Sequence, residues 1–570
     1  ERLLSESDPS GCSVFPPPSK ADKALVVPPA DAIGLADNDA GTAFTVWADV
    51  DGIHAQKLLG GQPGDEFLIP SVPGASRPDV VFYDINRAVA AWSKSALTEA
   101  EFAELVATDY TGDNTHNFDG TVHQHMFFST WNGTNWSPAD QLTPPNTGEG
   151  GVKLAACPAG EAGCPANGEV LAVWHRDLAG DIDQGQIRLY YAYFNGANWT
   201  AAQALDPDGT AKDVQPAPFY LDGEPGVVWV RNPSADAQDP DSGSQGLDER
   251  LLAYRFLRKA GGIQELLNLP RRVASPSVDT LSDGTLAVAF TSSALNTPFI
   301  GTRRALWVAT ASSCSGGVCD WHVYQQQDQH HRTIYAEHPV MMVDNLDRAI
   351  VAFRQLGVSG ELRPDDPVGL QGFGDLVKIE FTIPDLGVDV LTEALTIDGA
   401  VNWQTAGTFD PSTNSLILAN SKGVEVGQFR TVKSTAKVPK GLVTTQLSEG
   451  SSIFAYNLPH LPDLAITEVT PSDQVLIADS TLNVTVTVVN LATPLDVGVN
   501  PPRLGLWWDG PPGVGSPAAP PKTFAIAGGA FTDVTIEVVV PSEFGPDETH
   551  QLVAVVNHDH LIEENDFSTN

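Results

Sequence analysis

The chain reads as all-β: a ring of small antiparallel sheets followed by a β-sandwich. Three observations predict this. First, a short apolar run ending in a large aromatic recurs six times, at Trp47, Trp92, Trp174, Trp229, Phe290 and Phe353. Second, most of the intervals are roughly 45–65 residues, the length of a four-stranded sheet with its loops. Third, 51 Gly and 43 Pro punctuate runs rich in Val, Thr and aromatics, a composition that favours many short strands and turns. One such sheet cannot bury both of its faces. Neighbours must stack radially, and the ring must close. The prediction is a seven-bladed β-propeller, with six blades as the alternative, over residues 31–457.

Residues 1–30 are Pro-rich (FPPPS, VVPPA) and are expected to be extended. The chain begins without Met and is read as a trimmed product. The blades follow at roughly 31–74, 75–147, 148–212, 213–272, 273–333, 334–397 and 398–457. The seventh lacks an aromatic anchor, its second strand reading SLILAN. In several blades the first strand enters near a proline (RPDVVFYD, QPAPFYLD, SPSVDTLSDG, HPVMMVDN). The third strand turns through WNGTNW in blade 2 and FNGANW in blade 3, where Asn-Gly and Gly-Ala supply positive φ. Trp136 and Trp199 beyond these turns are expected to cover the outer edge.

The second-to-third connections are long in blades 2, 3, 4 and 6, and a meander sends them out at the same end as the interblade connections. Binding is therefore expected on that one face. The blade 2 insertion carries a capping box, Thr98 to Glu101, and a short helix is expected there.

From about residue 460 the pattern changes to separate strands in which Leu482, Val484, Val486 and Val488 alternate with polar residues. Several such strands in residues 460–570 predict an immunoglobulin-like β-sandwich. Pro462-Asp463-Leu464, the VTVTVVN strand and the closing DHLIEENDFSTN resemble CARDB-type adhesion modules. That resemblance implies a spacer, adhesion or assembly role. The blade grammar resembles sialidase/BNR-like propellers, with Ser282-Asp283-Gly284-Thr285 as a fragment of their turn box. This second resemblance implies an arginine cluster that grips a carboxylate, together with a nucleophile pair and an acid.

A formal charge of −39 makes nucleic acid and anionic membranes poor partners. No apolar run is long enough to cross a membrane as a helix, so no membrane insertion is expected. Cys157 with Cys164, and Cys314 with Cys319, each bracket a short Gly-rich loop and are expected to form disulfides in an oxidising, extracellular setting. Cys12 is left over.

Lys94, Arg176, Arg231 and Arg354 stand just beyond the blade aromatics and are the candidate ligand-binding cations. The competing reading pairs each with an acidic loop residue such as Asp177 or Asp366. Asp37 with Asp39, and Asp181 with Asp183, beside Gly, are candidate Ca2+ ligands. Haem and nucleotide are not expected. His123 and His125, at i and i+2 of a strand, could share a metal but read better as solvent-facing. No catalytic residue is assigned.

The function expected first is a secreted, non-enzymatic binding or structural component of an extracellular assembly, partnered by protein or by its own copies. The alternative is a carbohydrate-active propeller, either a sialidase-like hydrolase or a lectin.

Overall fold

In the computed structural model, the residues described are 2–3, 33–49, 52–60, 62–71, 75–98, 100–101, 123–145, 147–177, 187–209, 211–233, 250–266, 272–292, 304–312, 314–327, 333–345, 347–355, 376–382, 392–394, 401–412, 415–425, 429–431, 442–444, 448–459, 464–472, 478–490, 502–509, 516–525, 531–542 and 550–556. They fall into two compact units, Glu1–Asn457 and Leu458–Asn570.

The first unit holds seven four-stranded antiparallel sheets. Sheet 1 is Ile33–Asp37, Thr42–Asp49, Gly52–Leu59 and Gln62–Pro70. Sheet 2 is Ser76–Asp84, Arg87–Ser95, Gln124–Trp131 and Asp140–Gln141. Sheet 3 is Glu149–Cys157, Glu169–Asp177, Ile187–Phe194 and Gln203–Ala204. Sheet 4 is Lys212–Leu221, Glu224–Asn232, Leu251–Phe256 and Gln264–Glu265. Sheet 5 is Ala274–Thr280, Leu286–Ser292, Ala305–Ala311 and His322–Gln325. Sheet 6 is Ala336–Val343, Arg348–Gln355, Leu376–Thr382 and Thr392–Ala394. Sheet 7 is Val401–Asp410, Ser415–Glu425 and Ser448–Pro459, completed on its outer side by Arg2–Leu3.

The first strand of each sheet packs on the first strand of the next, and that of sheet 7 returns to sheet 1. First strands are therefore innermost, and the sheets circle an axis as a β-propeller. The apolar cores lie between sheets rather than inside one. Phe44 and Val46 of sheet 1 pack with Val80 and Trp92 of sheet 2. Ile417 and Ala419 of sheet 7 pack with Ile33 and Trp47 of sheet 1. The repeated aromatics Trp47, Trp92, Trp174, Trp229, Phe290 and Phe353 are all fully buried. Each contributes roughly 4–6 kcal/mol of transfer free energy. Trp136 packs against Phe44 and Trp131, and Trp199 against Phe128 and Phe194, so these two indoles fill gaps between neighbouring sheets at the rim.

At the end carrying the first-to-second hairpins, side chains stitch one turn to the next. Asn38 donates to the Ile85 carbonyl at 2.5 Å, Arg87 to the Asn167 carbonyl at 3.3 Å, and the Ser282 N–H to Asp347 at 2.8 Å. Thr408 donates to Asp37 across the seam between sheets 7 and 1. Disulfides join Cys157 to Cys164 and Cys314 to Cys319. The first loop leans on sheet 2, where the Ala159 N–H donates to the Tyr83 carbonyl at 2.9 Å. The second leans on sheet 4, where the Tyr254 hydroxyl accepts from the Cys319 N–H at 2.9 Å.

The second unit has two sheets: Leu464–Pro471, Thr481–Asn490 and Phe531–Val539 in one, and Arg503–Trp508 with Ser516–Pro517, Lys522–Thr523 and Leu552–Val556 in the other. One face of each feeds a shared core. Leu482, Val484, Val486 and Val488 meet Leu504, Leu506, Trp508 and Val556 there. Pro462, Asp463 and the segment 559–570 lie outside the described residues. No helix of the described residues is long and apolar enough to cross a membrane.

Candidate functional site

The register places the start of each first strand beside the end of the second. Ser76 faces Ser93, Glu149 faces Arg176, Asp213 faces Arg231 and Glu337 faces Arg354. The second-to-third connections and the interblade connections therefore leave from one end. Near that end the first strands of sheets 2 to 6 each carry a bulge, at Ser76/Asp79, Gly150/Lys153, Val214/Ala217, Ala274/Ser277 and Glu337/Val340. Four of these bulges place a non-glycine residue at positive φ directly before proline: Arg77 (51°), Gln215 (53°), Ser275 (51°) and His338 (49°). Pyrrolidine sterics and the Cβ both oppose that conformation, so surrounding contacts must hold it. The prolines noted in the sequence thus mark bulges at the axial mouth.

The bulges interlock from sheet 3 to sheet 5. His175 Nδ1 lies 3.2 Å from the Gly150 carbonyl, and its Nε2 accepts from the Gln215 N–H at 3.0 Å. The Gln215 side-chain oxygen then accepts from the Ser275 N–H at 2.8 Å. A carbonyl can only accept and an amide N–H can only donate, so His175 is neutral with its proton on Nδ1. Burial agrees, pushing its pKa down to about 4.

Three of the four cations singled out in the sequence do not gather around an open ligand. Arg176 binds Glu149, its Nε at 2.7 Å, and lies over the Tyr190 ring at 3.9 Å. Arg231 binds Asp206 at 2.7 Å and Asp213 at 3.4 Å. Arg354 binds Glu337. The partners are carboxylates at the start of the adjoining first strand or in the connection leading to it. The strand register delivers an acid opposite each guanidinium; Asp366 and the Asp177 side chain lie outside the described residues. Lys94 lies 5.0 Å above the Phe127 ring. Arg176, Arg231 and Arg354 are thus each paired with a carboxylate, as the competing reading of the sequence expected, though with acids at the strand starts.

Asp37 and Asp39 sit in a hairpin turn at the opposite end of the ring. Asp37 accepts from the Asp39 N–H at 3.0 Å and from Thr408. Burial, with the charges of Asp39 and Asp410, raises the Asp37 pKa to about 7. Among the described residues no group of three His, Cys, Asp or Glu side chains is placed to hold a metal. Asp181, Asp183 and Cys12 lie outside the described residues. Thr98 and Glu101 do form the reciprocal capping bonds, with Thr98 N–H to Glu101 at 2.9 Å and Glu101 N–H to Thr98 at 3.3 Å. The body of the expected helix lies outside the described residues. His125 is buried rather than solvent-facing, 2% exposed and 4.6 Å from Phe127, and burial lowers its pKa.

A different set of cations converges on the loop-bearing end. Arg250 precedes the third strand of sheet 4, Arg272 the first strand of sheet 5, and Arg304 the third strand of sheet 5. Arg272 has φ 75°, and its N–H donates to the Arg250 carbonyl at 3.1 Å. The Val273 N–H shares that acceptor at 3.3 Å. All three side chains are half-buried. Burial and then the charge of Arg304 push the Arg250 pKa down. Burial and then the charge of Arg272 do the same to Arg304. Guanidinium groups near one another can meet an anion through paired N–H donors on each.

Sequence reasoning missed these three because they follow loops and no aromatic anchor. A usable signal existed. Arg271-Arg272 and Arg303-Arg304 are doublets in a chain with only 32 basic residues against 71 acidic ones.

No family model matches the chain, and no curated protein is similar in sequence. Among solved structures it is similar to the Hadza microbial sialidase Hz136, at 11% identity and TM-score 0.38, over 72% of this chain and 74% of that one. It is similar to an ulvan lyase of polysaccharide lyase family PL25, at 12% identity and TM-score 0.42, over 74% and 94%. It is also similar to the GH93 α-L-arabinofuranosidase of Fusarium graminearum, at 9% identity and TM-score 0.39, over 67% and 92%. At these scores the likenesses assign no residue.

Proposed function

We propose that the chain is a secreted, carbohydrate-active, seven-bladed propeller that takes an acidic sugar on its loop-bearing face, followed by an immunoglobulin-like sandwich. The observation that carries this reading is the triad Arg250, Arg272 and Arg304. A sugar carboxylate or sulfate offers oxygens in a geometry that guanidinium groups match. A neutral sugar would leave the like-charge repulsion in place. The two short-loop disulfides support an oxidising location. The expectation of a purely structural component gains no specific support from the described residues.

The test is a panel of acidic and neutral oligosaccharides, read both for binding and for released product, with wild type and Arg304→Met. Binding confined to acidic members and lost in Arg304→Met is the expected result. Equal binding of neutral members, or an unaffected Arg304→Met, overturns the reading.

A further inference from the structure

We infer that Asn132 is an N-glycosylation site, which takes a sugar from a lipid diphosphate carrier onto its carboxamide nitrogen.

The pattern Asn-x-Ser/Thr, with x other than Pro, occurs at Asn132, Asn135, Asn198 and Asn483. All of these asparagines are exposed. What separates them is the work their hydroxyls already do. The Ser137 hydroxyl oxygen accepts from the Thr130 N–H at 3.0 Å, and that of Thr200 accepts from the Tyr193 N–H at 2.9 Å. These hydroxyls close the same hairpin in sheets 2 and 3, so the fold alone accounts for Ser or Thr after Asn135 and Asn198. Asn483 sits within a strand, and its Thr485 is bonded to Thr535 at 3.1 Å.

Asn132 differs. Its carboxamide oxygen accepts from the N–H groups of Thr134 and Asn135, at 3.0 and 2.9 Å, and from the Thr134 hydroxyl at 2.9 Å. A backbone N–H can only donate, so it is the oxygen that faces the turn. The nitrogen, Nδ2, has no hydrogen-bond partner among the described residues. The turn itself does not need the Thr134 hydroxyl. Sheet 3 builds the same turn on Asn195, whose side-chain oxygen accepts from the N–H groups of Ala197 at 3.0 Å and Asn198 at 2.9 Å. Ala197 stands where Thr134 stands, and the backbone closes alike: Asn132 N–H to the Asn135 carbonyl and Asn195 N–H to the Asn198 carbonyl, both at 3.2 Å. Turn geometry therefore explains Asn and Gly in this loop and leaves Thr134 to another purpose. An exposed turn with the hydroxyl held on its own asparagine, and the nitrogen available, suits an acceptor for sugar transfer. The two disulfides fit the export route on which such transfer occurs.

In the transfer, Nδ2 bonds to the anomeric carbon of the carrier sugar. The bond from that carbon to the diphosphate oxygen breaks, the lipid diphosphate leaves with the electron pair, and Nδ2 gives up one proton. The carboxamide oxygen keeps its three bonds, so the turn survives modification. The site lies at the end of the ring that carries the first-to-second hairpins, because a Cβ on Gly133 would sit 3.6 Å from the Asn86 carbonyl oxygen. A glycan there leaves the loop-bearing face clear.

The experiment takes the full chain secreted by its native source, as wild type, Thr134→Ala and Thr134→Ser. Mass spectrometry of the intact proteins, with fragmentation of their peptides, locates the sugar. The expected result is a sugar on Asn132 of wild type, with Asn135, Asn198 and Asn483 bare. It is lost in Thr134→Ala and kept in Thr134→Ser. Wild type and Thr134→Ala made in a host without glycan transfer should melt within about 2 °C of each other, since alanine serves the equivalent turn of sheet 3. A bare Asn132 in wild type, a sugar that persists there in Thr134→Ala, or sugars on Asn135 and Asn198 instead, overturns the inference.

Discussion

The N–H of Arg272 is bonded to the carbonyl of Arg250 across 3.1 Å, so the backbone brings together two residues of the proposed anion site. The charge of Arg304 acts on Arg250 and that of Arg272 on Arg304, each disfavouring the ionised form, and a bound anion would offset both. Function and stability should therefore pull in opposite directions here. Arg304→Met is expected to leave the melting temperature unchanged or to stabilise by up to about 1 kcal/mol while removing acidic-sugar binding. Calorimetry on both proteins without ligand checks the first half.

Arg231 should behave in the opposite way. Its guanidinium sits between Asp206 and Asp213, and the Asp213 side chain is 3% exposed. Arg231→Ala strands a buried carboxylate and is expected to cost about 3–5 kcal/mol, read by denaturant unfolding.

Stability should fall as the medium turns alkaline. Asp37 is raised from 3.8 to about 7, Asp213 to about 6 and Asp279 to about 6, in each case chiefly by burial. The folded chain holds these protons more tightly than the unfolded one. Their contribution is complete below about pH 3.8 and is lost as pH rises through 6 to 7. Asp37→Asn should flatten the decline in melting temperature between pH 5 and pH 8 and raise it at pH 8. A decline identical to wild type would refute this.

Gly168 has φ 71°, and an added Cβ would lie 2.0 Å from the Tyr83 carbonyl oxygen. Gly168→Ala is expected to destabilise by about 1–3 kcal/mol, because backbone meets backbone and neither can rotate away. Thermal melting of the oxidised protein measures it.

The architecture was legible because its signals are local. Trp92 ends a strand whose apolar residues need a sheet on either side, and every repeat of that run restates the need. The alternation from Leu482 to Val488 likewise reports one buried face. The site was not legible, for physical reasons. Arg176, Arg231 and Arg354 shared a position along their strands, and that regularity suggested a common ligand. The same register set an acid opposite each, which only strand pairing reveals. Arg250, Arg272 and Arg304 share no motif position, and their meeting depends on a bulged, positive-φ backbone that no residue pattern encodes. Proline at 216 and 276 hinted at the bulges, but the strained residue is the one before it, and Gln and Ser give no warning of that role.

Arg2 and Leu3 pair with Ala455 and Phe454, so the outermost strand of the last sheet comes from some four hundred and fifty positions before its partner. Contacts this distant along the chain make for slow folding, with unpaired edges exposed in the interim. A slow final step in refolding is the natural corollary of fastening together two stretches that lie so far apart in sequence.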